Sequence, residues 1–114
     1  MASQQKTVDF ILEQIADAGM VSAKKMFGEY AIYCDEKVVA LVCDDRLFVK
    51  PTPAGKKFIG EFVEDLPYPG AKPYLLISGD LWDDYEWLTK LIKLSAAQLP
   101  LPQKKKPKGS FKKS

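Results

Sequence analysis

Two acidic dipeptides, Asp35-Glu36 and Asp44-Asp45, constrain the fold of this chain more than any other feature. They separate three runs rich in β-branched and aromatic residues, Tyr30–Cys34, Lys37–Cys43 and Arg46–Lys50. A link of two residues cannot carry the chain across to a parallel neighbour, so successive strands must run antiparallel. Residues 22–27 read as a further short strand ahead of them, which gives a four-stranded meander. Neither dipeptide contains the glycine that a tight type I′ turn prefers, which leaves a longer loop or a bulge open at either link.

Helical patterns flank the meander. Val8, Ile11, Leu12, Ile15 and Ala16 fall on one apolar stripe of a helix over 5–18, and Gly19 follows where a left-handed cap is expected. Pro51 ends the fourth strand, and Thr52-Pro53 reads as an N-cap with proline in the first helical position of a helix over 53–60. Pro67, Pro69, Gly70 and Pro73 mark a loop, and the apolar run Tyr74–Ser78 predicts a buried fifth strand. Asp80 reads as the cap of a helix over 81–98, with Asp83, Asp84 and Glu86 near its positive end. Leu81, Tyr85, Leu88, Ile92 and Leu99 form one stripe of that helix, and Trp87, Leu91 and Leu94 a second. This face is wider than one sheet surface needs, which makes Trp82, Tyr85 and Trp87 the candidate protein-contact residues.

The side chains restrict the chemistry. Histidine is absent, which removes imidazole nucleophile pairs, imidazole acid–base catalysis and imidazole metal ligands. Cys34 and Cys43 match no zinc spacing. The strand from Lys37 to Cys43 holds them roughly 20 Å apart, against the ~7 Å a disulfide tolerates, so they read as structural thiols. Asp44-Asp45 is expected to stay solvated, and Asp83-Asp84 to serve capping. Arg46 and Lys50, with Lys24 and Lys25, read as solvent-facing residues balanced by Asp44, Asp45 and Glu29. Gly28, alone between Phe27 and Glu29, reads as a bend in the sheet, and no glycine-rich phosphate motif occurs. No catalytic residue, metal or cofactor is assigned.

The run Lys24-Lys25-Met26-Phe27-Gly28-Glu29-Tyr30, the turn Tyr33-Cys34-Asp35, the segment Leu41–Thr52 and the later Pro69–Ser78 resemble the N-terminal domain of the TfoX/Sxy family over about residues 5–97. The resemblance implies a compact α+β domain of a kind first named in regulators of competence genes, without a catalytic constellation to carry over. Competence regulators of that family carry a second domain, in place of which this sequence has a lysine-rich segment.

That segment divides the chain electrically. Lys104, Lys105, Lys106, Lys108, Lys112 and Lys113 all lie in the last eleven positions, whereas residues 1–103 hold 11 basic against 15 acidic residues, a net of −4. With three prolines and one aromatic residue, 100–114 reads as a disordered tail on a domain spanning 1–99. The expected function is a non-enzymatic regulatory or adaptor domain working through protein contacts, including a homodimer. The alternative is a nucleic-acid-associated regulator tethered by the six tail lysines. No signal segment and no membrane-length apolar run occur, so cytoplasm is the expected location.

Overall fold

The computed structural model describes residues 4–26 and 29–99. Phe27 and Gly28, with the bend read there, and the segment 100–114 lie outside the described residues. The chain forms α1 (Gln5–Gln14), β1 (Val21–Met26), β2 (Glu29–Cys34), β3 (Lys37–Cys43), β4 (Arg46–Val49), α2 (Pro53–Ile59), β5 (Val63–Asp65), β6 (Tyr74–Ile77) and α3 (Tyr85–Gln98). The strands make one antiparallel sheet in the order β1-β2-β3-β4-β6-β5, an α+β architecture.

The acidic links do form two-residue turns without glycine. Asp35 and Glu36 take φ of 52° and 72°, Asp44 and Asp45 of 55° and 56°. Aspartate tolerates the left-handed region because its carboxylate bonds locally, and here each link also has distant partners. Asp35 Oδ1 accepts from the Met20 amide at 2.9 Å, and the Asp44 amide donates to the Glu29 carboxylate at 3.2 Å. Asp45 Oδ1 accepts from the Gln4 amide at 2.8 Å and the Thr7 hydroxyl at 3.0 Å. The expectation that Asp44-Asp45 is merely solvated is therefore corrected, because Asp45 ties the β3–β4 turn to the start of α1. The irregularity falls inside β3, where Ile32 pairs with Ala40 and Tyr33 with Val38, leaving Val39 as a bulge.

All three helices lie on one face of the sheet. Val8, Ile11 and Ile15 of the N-terminal segment and Leu88, Leu91 and Ile92 of α3 share a buried core with Ile32, Val42, Leu47 and Leu75, and Phe58 and Ile59 of α2 pack at its margin. Thr52 caps α2 as read, its hydroxyl accepting from the Gly55 amide at 3.0 Å.

Four boundaries differ from the sequence reading. The helix over 5–18 breaks at Gln14 and continues as a 3₁₀ turn, Ala16–Ala18. Gly19 is not a left-handed cap, since its φ of 154° and ψ of −156° lie in a region open essentially to glycine alone. A Cβ there would stand 2.9 Å from the Asp35 carboxylate oxygens and 3.0 Å from Cys34 Sγ. The last helix starts at Tyr85, capped by Asp84, whose Oδ1 accepts from the Trp87 amide at 3.2 Å. Asp80 instead sits in a 3₁₀ turn capped by Ser78, and the Trp82 indole N–H, 3.1 Å from the Ile77 carbonyl, ties that turn back to β6. A sixth strand, β5, joins the sheet edge. Its residues Val-Glu-Asp are all exposed, so no apolar pattern announces them; the ladder to β6 holds them in place, flanked by the surface ion pairs Lys56–Glu64 at 3.7 Å and Arg46–Asp65 at 3.5 Å.

Candidate functional site

A strand alternates its side chains between faces, so residues next to those in the helix-covered core point to the opposite side of the sheet. Ala31, Cys43 and Phe48 lie there, buried yet outside the helix-side core. The segment after β5 helps to cover them. Pro67 is buried, and Tyr68 meets Met26, Glu29, Leu41 and Cys43 around a cleft of about 430 Å³. The cleft is lined mainly by apolar groups, with Tyr68 55% and Met26 42% exposed at its mouth. Sequence reasoning missed this site because a proline-rich loop gives no sign of where it lies. Tyr68, an aromatic residue standing between Pro67 and Pro69, was the available signal.

Cys43 is the one thiol on the cleft wall. Burial, and secondarily Glu29, pushes it up to about 11, so it is a weak nucleophile at neutral pH. Cys34 points to the helix side, 3.7 Å from the Ala18 carbonyl, and burial raises it as well. The two thiols thus occupy opposite faces of the sheet. Arg46 pairs with Asp65 at 3.5 Å and stacks its guanidinium 5.1 Å from the Phe48 ring centre. Lys24 and Lys25 are cross-strand from Ala31 and Tyr30, hence on opposite faces, so the four basic residues form no single patch. Among the described residues no group of three or more ligating side chains converges on a metal position.

The three aromatic candidates are placed separately. Trp87 is half-buried against Phe58 of α2, ring centres 5.5 Å apart. Trp82 is half-buried by its bond to Ile77, and its carbonyl accepts from Gln14 Nε2 at 2.7 Å. Tyr85 is 52% exposed and opens with Asp17, Thr89 and Lys93 onto a shallow depression of about 500 Å³. Tyr85 and Trp87 are two positions apart on a helix, so they point roughly 200° apart. The candidate lysines 104, 105, 106, 108, 112 and 113 lie outside the described residues.

Among known proteins, the model of the TfoX N-terminal domain family matches residues 13–99. A relative described as an uncharacterized 12.7 kDa protein in the trpE 5′ region of Spirochaeta aurantia is 39% identical over 108 residues, covering 95% of this chain and 93% of that protein.

Proposed function

Since the chain belongs to the TfoX N-terminal domain family, a non-catalytic domain family, we propose that it is a non-enzymatic regulatory or adaptor module acting on a protein partner in the cytoplasm. One observation carries this reading. The sheet face turned away from the helices opens into a largely apolar cleft of about 430 Å³ with Met26 and Tyr68 exposed at its rim. A cleft of that size and lining accepts one large apolar side chain, the kind of central anchor on which protein interfaces concentrate their energy. The partner is therefore a protein that inserts an aromatic or aliphatic residue between Tyr68 and Leu41. The test is a photo-crosslinking residue at position 68 in the full chain, with a second at position 85. Protein adducts formed at 68 and abolished by Leu41→Lys support the reading; adducts only at 85 move the contact to α3, and none at either overturns it.

A second reading is favoured by one feature of the sequence. Six lysines without an acid occupy 104–114, against a net of −4 in 1–103. Such a segment suits phosphate contact and makes the protein a nucleic-acid-associated regulator.

A further inference from the structure

β1 is an edge strand, and no strand among the described residues pairs with its outer side. The direction of its free backbone groups follows from the ladder. The Asp35 amide donates to the Met20 carbonyl at 2.9 Å, which makes Met20–Asp35 a directly bonded pair. Bonded and non-bonded pairs alternate in an antiparallel ladder. Ser22, Lys24 and Met26 therefore bond inward to β2, and Val21, Ala23 and Lys25 turn their N–H and C=O groups outward.

We propose that this edge pairs with the same edge of a second copy, antiparallel about a two-fold axis at Ala23, so that the two sheets become continuous. The side chains select this register. With Ala23 opposite Ala23, Ser22 faces Lys24, Val21 faces Lys25, and Met20 faces Met26. Met20 and Met26 are 82% and 42% exposed in the single chain, and the register brings each against the other on the same sheet face. Moving the two-fold axis by one residue to Lys24, a slide of two residues between the strands, puts Lys24 opposite its own counterpart, a like-charge pairing that disfavours that alternative. Lysines on an edge normally repel foreign strands, and here they tolerate one partner that offers serine and valine opposite them. β5 makes a poorer edge, being three residues long and engaged through Glu64 and Asp65 in ion pairs with Lys56 and Arg46. This dimer does not depend on the proposed cleft partner.

The test is sedimentation equilibrium of the full chain over a concentration series. Dimer is expected, with Ala23→Pro monomeric and unchanged in circular dichroism, because the lost N–H points away from β2. Two variants at an exposed position, which leave the intrachain ladder intact, give the interface a sign. Ser22→Lys sets lysine against Lys24 twice and should weaken the dimer about five-fold at low salt. Ser22→Glu sets a carboxylate there and should strengthen it by a similar factor. A chain that stays monomeric at millimolar concentration, or a dimer indifferent to both charges at position 22, overturns the proposal.

Discussion

Two buried residues carry opposite liabilities. Ser95 is fully buried in α3, and its hydroxyl has no hydrogen-bond partner among the described residues. It stands where α3 approaches α2 closely, since a Cβ on Gly55 would lie 3.1 Å from Ser95 Oγ. A buried hydroxyl without a partner loses its solvation for nothing, on the order of 1–3 kcal/mol. Ser95→Ala should therefore raise stability by about 1 kcal/mol, seen as a melting midpoint several degrees higher in thermal denaturation. Cys43 works the other way at high pH. Its thiol is pushed from an ordinary value near 9 up to about 11, chiefly by burial. Below pH 9 both states hold the proton and the group has no effect on the pH slope. Above it the unfolded chain ionises while the folded one does not, so stability falls between pH 9 and 11, by up to about 1.4 kcal/mol per unit. Chemical denaturation of Cys43→Ala across that window should show a shallower decline than the parent.

At the scale of elements, this fold depends on acids that reach across the sequence. The meander was legible because alternation and two-residue links depend on local pattern alone. β1 to β4 begin and end within a residue or two of the sequence reading. What the sequence concealed was set by distant partners. β5 exists by pairing with β6, and Gly19 is needed because Asp35 and Cys34 crowd it from another hairpin. The last helix starts at Tyr85, with Asp84 as its cap, because Trp82 is tied to β6. The cleft was illegible for the same reason, as its wall combines Tyr68 from a loop with Leu41 from β3. Asp45 gives the sharpest test. Its carboxylate accepts from both the Gln4 amide and the Thr7 hydroxyl at the start of α1, which itself has no side-chain cap from Gln4. Asp45→Ala should cost about 1–2 kcal/mol, as loss of an N-cap does, and hydrogen exchange should rise first in the opening turn of α1. A uniform loss across the sheet would instead assign Asp45 to the hairpin.

For the whole molecule, the decisive property is the contrast between an acidic body and a basic end. Residues 1–103 carry a net of −4, and their acids are spread through the hairpin turns and the approach to α3, so the body repels a polyanion. The six lysines of 104–113 carry the only large positive charge. Attraction to nucleic acid would then be confined to those lysines and be independent of base sequence. Each phosphate neutralised on duplex DNA releases counterions and contributes about −0.9 to the slope of log affinity against log salt. Six contacts predict a slope of about −5 for the full chain on random duplex. Replacing the six lysines by glutamine removes that attraction while leaving the cleft and the β1 edge untouched. The expected outcome of a salt series is a steep slope for the parent and no measurable binding for the glutamine variant. Equal binding by both would place the contact on the folded body, and a parent that fails to bind even at low salt would leave the protein-binding cleft as the surviving reading.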